Sequence, residues 1–232
     1  MDLTYYRESL KRLGPMPTLF HAAYRMANRV TPVAVLRALV VTLDRLPPEL
    51  LELGSGPGQL LPAEAMRRFV ADPQARLSDR FIDDAAARGD RCYAIFEGDL
   101  LTAYGWYATG PTRLFEVDDS LSLHFDPAYT YMYWGYTRPS HRGKRLHAVG
   151  MASALALVSS EGQKGLLTYV DSTNYASLRS CERTGFEGFG TVLVAKAGRR
   201  YFCRASSGCK QYGFEVVQER PVELPHSARP RA

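Results

Sequence analysis

Thr130-Tyr-Met-Tyr-Trp-Gly-Tyr-Thr-Arg-Pro-Ser-His-Arg-Gly-Lys-Arg-Leu-His147 is the stretch on which the reading of the chain turns. Aromatic and small residues alternate up to Thr137, as in a half-buried strand. Pro139 stops the strand. His141-Arg142-Gly143-Lys144-Arg145 then forms a basic turn, and an apolar helix begins at Leu146 and runs to about Ser159. Strand, glycine-containing basic turn and helix start form a place to hold phosphate. The free N–H groups of a first helical turn point outward, and the helix dipole favours negative charge there. The stretch predicts a seat for a pyrophosphate-bearing molecule.

Working forward from it, Leu166–Val170 is an apolar strand, so strand, helix and strand form a parallel βαβ unit. Asn174–Arg183 reads as the next helix, with Ser172-Thr173 as caps and Gly185 just past its end. Phe186–Val194 and Arg200–Arg204 read as a hairpin around Gly198. Residues 205–232 are polar and read as a loosely packed tail. Working backward, Tyr129, Leu121–Phe125, Arg113–Val117, Leu100–Tyr107 and Cys92–Phe96 carry two-residue periodicity between turn signals, which predicts an antiparallel meander. Pro62–Val70 and Leu77–Arg88 read as helices. Residues 1–47 read as a basic helical extension: Tyr5–Leu13, Leu19–Arg29, and a third helix from Thr31-Pro32 to about Arg45. Its apolar stripe predicts either packing on the main domain or contact with a membrane surface or partner.

The composition is that of an ordinary globular protein of 232 residues, 46% hydrophobic and 23% charged. A net charge of +5 suits an anionic ligand, and no clustered basic face calls for nucleic acid. Cys92, Cys181, Cys203 and Cys209 show no metal-ligand spacing, so no metal site is expected and reduced thiols are. The beginning of the chain lacks the apolar core of a signal peptide, and no apolar run approaches the roughly 20 residues needed to span a bilayer. The expectation is a cytoplasmic protein.

Two segments together resemble the GCN5-related N-acetyltransferase (GNAT) superfamily. Arg142-Gly143-Lys144-Arg145-Leu146-His147 resembles its Q/R-x-x-G-x-G/A signature, and Asn174 through Gly185-Phe186 resembles its later block, an Asn, a helix, then Gly-Phe. One apolar helix and one apolar strand separate the two segments, as in the family. The resemblance covers about residues 60–205. It implies an α/β (α+β) fold with a mixed, mostly antiparallel sheet flanked by helices. The domain order would be extension (1–50), acyltransferase domain (60–205) and tail (206–232).

What the resemblance implies about function is specific. Acetyl-CoA, or another acyl-CoA, would lie along the main chain of Tyr136, Thr137 and Arg138. The amides of Gly143, Lys144, Arg145, Leu146 and His147 would hold its pyrophosphate. Arg142, Lys144 and Arg145 would add charge, and Asn174 would meet the pantetheine arm. The acyl group would pass directly to a primary amine, most simply on a small molecule, and a homodimer is left open. Asp171 and Tyr133 are the candidates for removing the amine proton, with Glu116, His124 and His147 in reserve. Many family members place an acidic Tyr where Cys181 stands. Arg145 and His147 replace small residues of the signature, which implies phosphates held with more side-chain charge.

Two alternatives come from other classes. Glu52-Leu53-Gly54-Ser55-Gly56-Pro57-Gly58 resembles the glycine-rich motif of S-adenosylmethionine-dependent methyltransferases, although it also reads as a linker. The altered signature also allows an acyl-CoA-binding module without turnover.

Overall fold

The computed structural model describes residues 14–52, 58–114 and 117–219. The helix read at Tyr5–Leu13, most of the Gly54–Gly58 motif, Glu116 and residues 220–232 lie outside them. The mixed, mostly antiparallel sheet flanked by helices is present, but its N-terminal part differs from the sequence reading. Pro15–Val30 is a helix (α1). Val33–Val41, read as a third helix, is instead a strand (β1) inside the sheet. Its register runs Leu36 to Asp171 on one side and Leu36 to Val192 on the other. The physical reason is in the residues, Val-Ala-Val-Leu-Arg-Ala-Leu-Val-Val. A strand paired on both edges and covered on both faces needs no polar alternation, and its β-branched valines suit the pleat. Residues 33–41 are therefore part of the domain and not of an extension.

The chain continues through β2 (Gly58–Pro62), α2 (Asp79–Ala87), β3 (Arg91–Glu97), β4 (Leu100–Ala108), β5 (Thr112–Leu114), β6 (Asp118–His124) and β7 (Thr130–Thr137). Then come α3 (Leu146–Ser160), β8 (Leu166–Asp171), α4 (Tyr175–Arg183), β9 (Glu187–Ala197), β10 (Arg200–Ala205) and β11 (Glu215–Gln218). Ala63–Phe69, read as an ordinary helix, is wound as a 3-10 segment. Eight strands form one sheet in the order β10-β9-β1-β8-β7-β4-β3-β2, and β11-β6-β5 form a second, smaller sheet.

The C-terminal reading also changes. Residues 206–219 are folded, with Cys209 and Phe214 buried and β11 paired to β6. Polar residues such as Lys210 and Gln211 mask two buried anchors that join the small sheet to the large one.

Two irregularities position the site. Among the described residues the only parallel neighbours are β7 and β8, and they pair at Thr130–Leu166 and Tyr131–Leu167 before diverging. On its other edge β7 carries a bulge: Gly105 faces Gly135 and Tyr107 faces Met132, so β7 spends one residue more than β4 over the same span. The crossover helix α3 lies on one face of the sheet, where Met151, Ala154, Leu155 and Val158 bury against Tyr93, Tyr107, Met132 and Val170. On the opposite face the small sheet covers Leu36, Val40, Tyr131 and Leu167, and α2 covers Cys92, Trp106 and Tyr136. Helix α1 is held lightly. Met16, Leu19, Met26 and Val30 are exposed, and of the apolar stripe seen in its sequence Tyr24 turns to the sheet, against Asp171.

Candidate functional site

Beyond Tyr131 the β7 edge facing β8 has no strand partner. The Arg138 N–H donates to the Thr102 carbonyl at 2.8 Å, which fixes Arg138 as facing β4. Hydrogen-bonding direction alternates along an antiparallel strand, so Tyr136 faces β4 as well, while Gly135 and Thr137 turn their amides and carbonyls into the gap. The Arg142 Nε donates to the Thr137 carbonyl at 3.4 Å, as that direction requires. The sequence reading named Tyr136, Thr137 and Arg138; in the strand Gly135 and Thr137 direct their main chain into the gap, while Tyr136 lines the cleft with its main chain turned to β4. Tyr136 turns its ring to the α2 face, against Tyr104 at 5.4 Å between centroids.

Arg138 is occupied elsewhere. It is 6% exposed, bonds the Leu101 carbonyl at 3.1 Å and Gln74 at 2.6 Å, and pairs with Asp72. Its guanidinium ties the Pro73–Ala75 turn to the end of β7 and is not free for a phosphate.

The basic loop follows. His141 Nε2 lies 2.7 Å from Glu97, and His141 and Lys144 hold the Glu97 carboxyl below its ordinary range. Gly143 and Arg145 both have positive φ, 83° and 57°. Arg145 is the N-cap of α3 and offers no side-chain cap. The amides of Leu146, His147 and Ala148 have no partner inside the helix. Arg142, Lys144 and Arg145 are exposed around them. An uncapped helix start ringed by three cations is a site for an anion.

A cleft of about 210 Å³ runs from this helix start along the gap, between β7, α3 and α4. Gly135, Thr137, His147, Met151, Cys181 and Phe186 line it. The His147 ring lies where a side chain on Gly135 would stand, so a larger residue there would have to displace that ring. Burial of its ring lowers the His147 pKa. Burial pushes the Cys181 thiol up to about 11. Proton transfer from it to a thiolate of ordinary pKa, roughly 8.5, would run uphill. Cys181 is a wall of the cleft.

The remaining candidates are placed as follows. Asn174 caps α4, its Oδ1 accepting from the Ser177 N–H at 3.2 Å. It fills the cap position that Ser172-Thr173 were expected to fill, and it is not among the residues lining the cleft. Tyr133, within the bulge, donates its hydroxyl to Asp90 at 2.8 Å. Burial first, and then Asp90, raise its pKa, so it is held as a neutral phenol. Asp90 is 2% exposed and paired with Arg88 at 2.7 Å; burial raises its pKa despite that partner. Asp171 accepts from Tyr24 at 2.6 Å and from the Thr173 N–H and Oγ1 at 2.8 and 2.6 Å. His124 sits at the end of β6, in register with Glu215 of the small sheet.

Sequence reasoning missed the Tyr24–Asp171 and Tyr133–Asp90 pairs. Their members lie 147 and 43 residues apart, and no local pattern announces them. Gly135 was legible as a glycine in an aromatic strand, a recognised mark of a close approach. Among the described residues, no cluster of three or more His, Cys, Asp or Glu is placed to hold a metal, and no helix is long and apolar enough to cross a membrane.

No family model matches the chain, and no curated protein matches it. Solved structures do. A Novosphingobium aromaticivorans protein assigned to the GNAT acetyltransferases is 14% identical, with 81% of this chain and 66% of that one covered at a TM-score of 0.47. A Colwellia psychrerythraea acetyltransferase of the GNAT family is 13% identical over 69% and 55%, at 0.45. A GCN5-related N-acetyltransferase from Kribbella flavida is 16% identical over 76% and 63%, at 0.41. The chain thus spans 55–66% of the length of these solved chains. At such identities and TM-scores, what the chain does is left to the geometry of its own cleft.

Proposed function

We propose that this chain is a GNAT-type N-acyltransferase that moves an acetyl or longer acyl group from acyl-CoA to a primary amine. One observation carries the reading. The unpaired edge of β7, with Gly135 and Thr137 directed into the gap, leads straight to a basic loop and an uncapped helix start. An extended amide-bearing arm pairs with such an edge as an added strand would. A pyrophosphate suits the amides of residues 143–147, with Arg142, Lys144 and Arg145 adding charge. The donor set fits a molecule that carries both features.

Bound there, acyl-CoA supplies an activated acyl group: the amine nitrogen forms the C–N bond, the C–S bond breaks, and the departing thiolate takes up a proton. The protein's part is to align, to polarise and to receive the amine. The bulged main chain of β7 presents amides beside the gap, where they can polarise a carbonyl. The amine must be neutral to attack, and its proton leaves through water or a nearby carboxylate. Tyr133, held as a phenol by Asp90, is a donor and not that base. Asp171 remains the candidate that faces a cleft.

Thermal stability with acetyl-CoA tests the reading. A rise in Tm with millimolar acetyl-CoA and none with S-adenosylmethionine is expected; the reverse pattern refutes it. The methyltransferase alternative has little local support, because Gly58 opens an edge strand paired to β3 and not a helix. One observation favours an acyl-CoA-binding module without turnover: Cys181, where the resembled family places an acidic Tyr, is a wall of the cleft, and burial pushes its thiol pKa up. Steady release of thiol with any amine rejects that second reading.

A further inference from the structure

A second cleft opens on the sheet face opposite α3, between α1 and the β1–β8 pair. It holds about 270 Å³, near the lower end of small-ligand sites. Tyr24, Val33, Leu36, Val117, Tyr169 and Asp171 form its walls. We propose that it binds the acceptor: a primary amine in its ammonium form, carrying a compact apolar body of about the size of an aromatic ring. The word "acceptor" rests on the acyltransferase reading; the binding itself does not.

Three observations assign the chemistry. First, Asp171 is the one charged residue among the described residues lining the cleft. Asp171 is locked by donors from Tyr24 and from both the main chain and the hydroxyl of Thr173, so it meets a ligand already oriented. No lysine or arginine lines the cleft among the described residues. A carboxylate without a competing cation selects a cation and rejects carboxylates and phosphates. Second, the other polar side chain is already used. Asn28 donates to the Tyr24 and Val33 carbonyls at 3.1 and 2.9 Å and accepts from the Val33 N–H at 2.9 Å. The rest of the wall is apolar or aromatic, and it suits a hydrocarbon body better than a sugar.

Third, the cleft adjoins the gap. Tyr169 and Asp171 lie on β8 beyond its last pairing with β7. Tyr169 stacks on Tyr131 at 6.1 Å, and Tyr131 stacks on Tyr133 of the bulge at 5.8 Å. A body packed on Tyr169 therefore lies beside the gap, across the sheet from the cleft that ends at the basic loop. Two molecules entering from opposite faces meet where β7 and β8 part.

Titration calorimetry on the full chain tests this, with phenethylamine and its uncharged counterpart phenethyl alcohol as probes. The amine is expected to bind at least about tenfold more tightly than the alcohol, the scale of a charge-assisted hydrogen bond. Asp171→Asn should reduce the amine to the level of the alcohol. Val33→Phe should fill the cleft and weaken both, while the rise in Tm with acetyl-CoA persists in both variants. Equal binding of the two probes, no binding of the amine, or amine binding untouched by Val33→Phe overturns the proposal. Should Asp171→Asn fail to fold, the amine–alcohol comparison and Val33→Phe decide it. Amine binding without any response to acetyl-CoA would keep the cleft and remove the acyltransferase reading; the converse would keep the enzyme and move its acceptor elsewhere.

Discussion

Arg145 stands where a glycine would rest without strain. Its φ of 57° lies in the left-handed region, which costs a side-chain-bearing residue about 1–2 kcal/mol. Arg145→Gly should relieve that cost, partly offset by the greater freedom of an unfolded glycine, and leave folding stability within about 1 kcal/mol of the parent. Affinity for acetyl-CoA should fall in the same variant through the lost cation. Chemical denaturation and a binding titration on the same samples check both. Unchanged affinity, in this variant and in one lacking Arg142 as well, would remove these side chains from the phosphate site. Gly185 is the contrasting case. Its φ is 88°, and a Cβ there would meet the Arg45 carbonyl. Both backbone conformation and space exclude a side chain, so Gly185→Ala should destabilise by more than about 1 kcal/mol, read from the denaturation midpoint. The two positions also show what local sequence conveys. Gly185 is announced by its place after a helix, whereas Arg145 is marked only by the signature it resembles, which has glycine at that position.

Among the elements, the meander, the crossover helix and the basic loop were legible, because alternation and turn chemistry are local. β1 was not. A strand covered on both faces lacks the period of two, and a run of nine residues, Val33–Val41, fits either a buried strand or a helix. The gap was legible only in part. The motif located the end of β7, but which residues face the gap depends on a bulge whose extra residue is visible only against β4. The anchor at the end of β7 supports another prediction. Arg138→Met keeps much of the buried stem but loses the bonds to Leu101, Gln74 and Asp72. The expected cost is about 1.5–3 kcal/mol, with faster hydrogen exchange around Asp72–Ala75. Exchange there equal to the parent would argue against the anchoring role.

For the molecule as a whole, the small sheet is joined to the large one partly by charge. Asp118 at the start of β6 accepts from the Ser120 side chain, from Tyr201 of β10 at 2.6 Å and from the Ser120 N–H, and it lies 3.6 Å from Lys196. The Ser120 hydroxyl first, and then Tyr201, hold its carboxyl far below the usual range. A depressed carboxyl stabilises the fold above its unfolded pKa, about 3.9, and that contribution fades as pH falls from there through the folded value. Acid should therefore loosen β5, β6 and β11 before the α3 core. Hydrogen exchange compared at pH 6 and pH 3 checks the order, and Asp118→Asn should abolish the difference.

The place of β1 has a consequence for how the chain comes together. Its hydrogen-bonding partners, β8 and β9, are made well over one hundred residues later. Until they emerge from the ribosome, Val33–Val41 is a valine-rich segment with two bare edges, the kind of stretch that pairs with neighbouring chains. The sheet can close only after β8 and β9 have been made, and the long-range pairing makes that closure slow. A strand inside the finished sheet, third of eight from one edge, is thus open to aggregation while the protein is being made.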